Sequence, residues 1–133
     1  LTGFTGDSSF LYLDPRSTVL ISDTRFETQI AQECPGCEVE IRDARQTTEA
    51  LAASVVQRAK PASLAIEADS LTKARYDDLA AELKSTSLIQ TQGLVRELRA
   101  IKDRSELQLI RRSIKVAERA FTAVTAGLMG DQT

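Results

Sequence analysis

Histidine and tryptophan are both absent from this 133-residue chain, and methionine occurs once. Without His, Ser-His-Asp and Cys-His catalysis are impossible within the chain, and so are His-ligated zinc sites. The only side chain that titrates near neutrality in an unperturbed setting is therefore missing. Any chemistry would rest on carboxylates, Lys, Tyr, Cys or a borrowed partner, so the chain alone makes a poor enzyme. An excess of either charge is lacking too: 17 Lys and Arg stand against 19 Asp and Glu, a formal net charge of −2. That balance argues against binding nucleic acid by phosphate neutralisation. No apolar run approaches the ~18 residues of a membrane span and no signal peptide is visible, so no membrane partner is expected.

Cysteine is limited to one pair, Cys34-Pro35-Gly36-Cys37. Thioredoxin-like chemistry needs the first Cys at a helix N-terminus, where the dipole lowers its pKa. Here the order is reversed, since a helical stretch at 25–33 precedes the pair and a strand-like run at 38–42 follows it. A zinc site would need about four ligands, and this motif supplies two. The expectation is a Pro-Gly turn with two small apolar residues tucked beneath it.

What is present is an ordinary globular composition, 42% apolar and 27% charged with six Gly and three Pro, which excludes disordered and collagen-like classes. Length predicts a single domain's worth of chain with one real core. Residues 10–14 and 18–22 are short apolar runs split by Pro15-Arg16-Ser17 and read as a hairpin. Thr24-x-x-Glu27 reads as a capping box opening a short helix through Ile30 and Ala31. Val39 and Ile41 mark a strand. Thr47 or Thr48 then caps a helix carrying Leu51, Val55, Val56 and Ala59, which Pro61 stops. Residues 64–67 and 87–91 are strand candidates. Between them a helix starts at Ser70 or Thr72 and sets Tyr76, Leu79, Ala80 and Leu83 on one face. The pattern predicts an α/β domain with a mixed sheet.

The last third changes character. Leu107, Ile110, Ile114, Ala117, Phe121, Val124 and Leu128 alternate 3-4 in spacing, one apolar seam on a long helix. Asp103 or Ser105 can cap its start and Gly127 or Gly130 its end. Seven such side chains, at roughly 1.5–3 kcal/mol each, predict burial against the α/β body or another copy. Arg104, Arg111, Arg112, Lys115 and Arg119 on the other side read as a solvated face, because Glu106 and Glu118 interleave. The absence of Met at Leu1 and the turn-like close at 130–133 lead us to expect that both ends are cut.

Three segments carry a resemblance. Leu1-Thr2-Gly3-Phe4-Thr5-Gly6-Asp7-Ser8-Ser9, then Ser22-Asp23-Thr24-Arg25-Phe26, then residues 95–106 with Ile110-Arg111-Arg112 are together similar to the N-terminal domain of the creatinase, prolidase and aminopeptidase P superfamily. The order and spacing match along the chain, although Thr24 replaces the usual Gly, Phe26 the usual Tyr, and Asp7 a common Ser. The resemblance implies a ribonuclease H-like α/β motif with a mixed sheet flanked by helices and a long linking helix. Residues 1–102 would be the N-domain, short of the family's first strand and helix. Residues 103–133 would begin an absent pita-bread catalytic domain. It implies no catalytic, cofactor-binding or metal-binding residue in this chain, and two divalent ions (Mn, Zn or Co) in the catalytic domain. The implied partners are that domain, a second subunit in a homo-oligomer such as a dimer, and proline-containing peptides, in the cytoplasm. The implied parent is an Xaa-Pro aminopeptidase; an Xaa-Pro dipeptidase, a creatinase-like amidinohydrolase and a free-standing binding module are the alternatives. Phe4, Asp7, Asp23 and Arg25 are the candidates for a substrate entrance or loop clamp. Arg25 stands out because a cation in a first helical turn opposes the helix dipole, which points to a fixed anionic partner, Asp23 or Asp7.

Overall fold

The computed structural model describes residues 2–127 and divides into two compact units, Leu1–Gln92 and Gly93–Thr133. In the first, strands β1 (Phe10–Leu13) and β2 (Thr18–Asp23) pair antiparallel, with Phe10 opposite Ile21 and Leu13 opposite Thr18. Asp14 makes the turn between them: its carboxylate accepts the backbone N–H groups of Arg16 and Ser17, both at 2.7 Å. Alternation along β1 and β2 sends Tyr12, Val19 and Ile21 to one face and Leu11 and Leu20 to the other.

A 3-10 turn (Thr24–Phe26) follows β2 and leads into helix α1 (Glu27–Glu33). The expected Thr24 capping box does not form. Asp23 caps the turn instead, accepting from the Arg25 N–H, because Thr24 already lies inside it. Strand β3 (Glu38–Arg42) then pairs parallel with β2, setting Asp23 beside Arg42. Helix α2 (Thr48–Ala59) is capped by Thr47, whose side chain accepts from the Ala50 N–H, and Lys60 closes it in the left-handed region ahead of Pro61. Strand β4 (Ser63–Glu67), helix α3 (Lys73–Glu82, capped by Thr72) and strand β5 (Ser87–Thr91) complete the unit.

The α/β architecture with flanking helices is as the sequence predicts, but among the described residues the strands form two sheets. One is the mixed β1-β2-β3 sheet, the other the parallel β4-β5 pair. No described strand joins the two. Both nevertheless contribute to one core: Tyr12, Val19 and Ile21 pack with Leu51, Ala52, Val55 and Val56 of α2 and Leu79 and Leu83, while Leu64 and Leu88 lean on the same cluster. On the opposite face of the mixed sheet, Leu20, Ile30 and Cys34 are buried with Phe4, Leu11, Phe26, Cys37 and Ile41 against them.

The second unit holds helix α4 (Leu94–Ala100) and helix α5 (Arg104–Ala126). Gly93 precedes α4 at φ 76°, a conformation that glycine adopts without the Cβ clash of other residues. Asp103 caps α5 in a full capping box with Glu106. Its 23 residues rise about 35 Å. Within this single chain the seam is open. No residue of α5 is buried: Leu107 is 40% exposed, Ile114 51% and Phe121 72%. Gly127 caps the helix, while Leu128 and Gly130 lie outside the described residues.

Candidate functional site

The parallel pairing of β2 and β3 brings their C-terminal residues together, so Asp23 and Arg42 become neighbours by register alone. Asp23 is buried, its side chain 5% exposed, and holds two guanidinium groups. Arg25 folds back on it in a fork, Nε donating at 3.0 and 3.1 Å and Nη2 at 2.7 Å. Arg42 sits with Nη2 at 3.7 Å from the same carboxylate, and its Nη1 donates to the Asp43 and Gln46 carbonyls, both at 3.2 Å. A buried carboxylate with this many donors stays ionised. The Arg25 fork, its N–H bond and the Arg42 charge hold the Asp23 pKa down to about 2 against desolvation. Arg25 is raised in turn by Asp23, with a smaller contribution from Asp7.

Arg25 also lies over the Phe26 ring, 5.3 Å from its centroid. Phe26 meets Phe4 edge to face at 5.6 Å. A Cβ at Gly6 would fall 2.3 Å from the tip of the Phe4 ring, so a larger residue there would have to displace that ring. The loop is fastened a second time by Glu33 at the end of α1, which accepts from the Thr5 N–H and hydroxyl, both at 2.8 Å. Gln29 donates to Glu33 and Thr5, and these bonds keep the Glu33 carboxylate below its ordinary pKa, the Thr5 backbone bond contributing most.

Of the candidates named from sequence, Asp23 and Arg25 are in direct contact, Phe4 reaches them through Phe26, and exposed Asp7 interacts with Arg25 by charge. Three participants escaped sequence reasoning: Arg42, Glu33 and Gln29. Arg42 was findable once β2 and β3 are taken as parallel, since both end in a charged residue. Glu33 had no such signal.

Chemically, the arrangement is a cation platform. Two arginines share one buried aspartate, and two thirds of the Arg25 side chain is open to solvent. A planar guanidinium there suits a carboxylate partner. Among the described residues no three His, Cys, Asp or Glu side chains are grouped to hold a metal ion, so these residues do not fit a dinuclear metal centre.

The sequence profile described as the Creatinase/Prolidase N-terminal domain matches residues 1–101. The chain is 27% identical over 123 residues to the uncharacterized peptidase YqhT of Bacillus subtilis (strain 168), covering 91% of this chain and 34% of that protein. It resembles the X-Pro aminopeptidase of Thermotoga maritima MSB8 at a TM-score of 0.87 and 23% identity, over 96% of this chain and 36% of that one. The N-terminal domain of the cytoplasmic peptidase PepQ from Mycobacterium tuberculosis H37Rv is 32% identical, at a TM-score of 0.64, over 74% of this chain and 76% of that one. The chain thus spans about a third of the full-length proteins it matches.

Proposed function

We propose, because this chain belongs to the Creatinase/Prolidase N-terminal domain family, that it is the non-catalytic N-terminal part of a metal-dependent Xaa-Pro peptidase. The observation that carries this is the profile match over residues 1–101 in a chain about a third as long as its full-length relatives. The parent reading is an aminopeptidase that removes the residue ahead of Pro in second position, with an Xaa-Pro dipeptidase as the alternative. Its two divalent ions would belong to the catalytic domain. Residues 1–102 would form the N-domain and 103–133 the linking helix. The exposed α5 seam supports this division, because it is an apolar surface in search of a large partner such as the catalytic domain. A second subunit is the other partner proposed. A cytoplasmic setting is proposed by analogy with the PepQ relative.

Within that parent, the Asp23–Arg25–Phe26–Phe4 chain of contacts would hold the loop at 3–6 as a wall of the active-site entrance. Buried Asp23 anchors the Arg25 guanidinium through its fork, and the aromatic pair passes that order to the loop. The test is Arg25→Ala in the full-length enzyme. A clamp predicts a lowered melting temperature, both there and in this chain. Direct contact with a peptide carboxylate predicts unchanged melting and a raised KM with kcat kept. If both quantities stay at wild-type values, the entrance-wall role is refuted. Metal-dependent cleavage of an Xaa-Pro peptide by this chain alone would refute the non-catalytic assignment.

A further inference from the structure

The Cys34-Pro35-Gly36-Cys37 turn is left unused by the entrance-wall reading, and its geometry is specific. The Cys37 N–H donates to the Cys34 carbonyl at 3.1 Å, closing a four-residue turn. Such a turn brings its end Cα atoms within about 7 Å, while disulfides span Cα separations of about 4.4–6.8 Å. Both side chains also meet the same apolar cluster. Cys34 is buried in the cluster around Leu20 and Ile30, and Cys37 packs against that cluster. Both are free thiols. Pro35 and Gly36 are exposed, and nothing lies within 4 Å of where a Gly36 Cβ would be, so the turn is open on its outer side.

We propose that Cys34 and Cys37 form a reversible intramolecular disulfide, with a small-molecule disulfide of the glutathione type as oxidant. Partly buried Cys37, the more accessible of the two, attacks as its thiolate, its proton passing to solvent. One sulfur of the oxidant bonds to Cys37 and the other leaves as a thiolate. Cys34, deprotonated in turn, then attacks the Cys37 sulfur and expels the second small thiolate. Two protein thiols become one S–S bond, and one oxidised glutathione becomes two reduced ones once the thiolates recover the two protons. The attack order follows burial, since Cys34 is 4% exposed and cannot be reached first.

Closure has a local consequence. The Cys34 thiol donates to the Thr2 carbonyl at 3.4 Å, and a disulfide sulfur has no proton to give. Oxidation therefore releases one tether at the entry to the loop bearing Phe4.

The test exposes the intact chain to oxidised glutathione, then denatures it in acid, traps all remaining thiols with an alkylating agent, and reads intact mass and peptide maps. The expected result is loss of alkylation at both cysteines together, a mass lower by two hydrogens, a monomer on non-reducing gels, and reversal by dithiothreitol. Cys34→Ser should instead accumulate a glutathione adduct at Cys37, and Cys37→Ser should leave Cys34 reduced in the folded chain. A stable Cys37 adduct in the unmodified sequence, an interchain dimer, or two fully alkylated thiols after prolonged oxidation would each overturn the proposal.

Discussion

Ile114→Asp puts a charge in the middle of the α5 seam, and the outcome depends on whether that seam is covered. Ile114 is 51% exposed in the chain, with Ile110 at 42% and Phe121 at 72%. An Asp there lowers helix propensity by a few tenths of a kcal/mol. It gains an i,i+3 attraction to Arg111 and an i,i+4 repulsion from Glu118, each worth about 0.2–0.5 kcal/mol and opposite in sign. The net expectation is a change within about 0.5 kcal/mol for the chain alone, as for other substitutions outside a core. In the full-length parent, burial of the same position would turn this into about 3 kcal/mol or more, since a charge would be left unpaired in an apolar contact. Urea unfolding followed by far-ultraviolet circular dichroism measures both. An Ile114→Asp chain that unfolds or loses more than about 2 kcal/mol would refute the exposed seam and restore the burial expected from sequence.

Three further predictions concern the α/β unit. Ile21→Ala, at a side chain 1% exposed in the middle strand, should lower stability by about 2–5 kcal/mol in urea titration. Lys60→Gly should raise the melting temperature, gaining about 0.5–1 kcal/mol, because Lys60 sits at φ 52° where a Cβ is strained. The Asp23 pKa lies below its ordinary 3.8, so its ion pairs stabilise the fold above that pH and are lost as pH falls through about 2. Urea midpoints measured from pH 5 down to 2 should therefore fall less steeply in Asp23→Asn than in the wild type.

Elements whose causes are local were legible in the sequence. Thr47 and Thr72 cap helices from their own side chains, Asp103 and Glu106 complete a box within four residues, and Pro15 marks the hairpin turn. Residues 87–91 read as a strand and are one. The 3-10 turn was not legible, because Asp23 and Thr24 are both competent caps and the choice depends on where β2 stops pairing with β3. Helix α4 was passed over because its seven residues are too few to display a helical period. Periodicity revealed that α5 has an apolar side, but not what that side meets. In the site, Asp23 and Arg25 were legible as a pair two residues apart. Arg42 enters from strand pairing and Glu33 from the packing of α1 beneath the loop, neither of which a linear pattern encodes.

The division of the strands into two sheets has a consequence for how this polypeptide behaves in a crowd. β1, β3, β4 and β5 each offer one edge on which no described strand is paired, and both sheets share a core. An open edge is a row of backbone donors and acceptors that recognises any extended segment, because peptide groups rather than side chains make the bonds. Leu13, 53% exposed beside that row on β1, adds stickiness without selectivity. Each open edge is therefore a place where an extended segment of a neighbouring chain can add as a further strand.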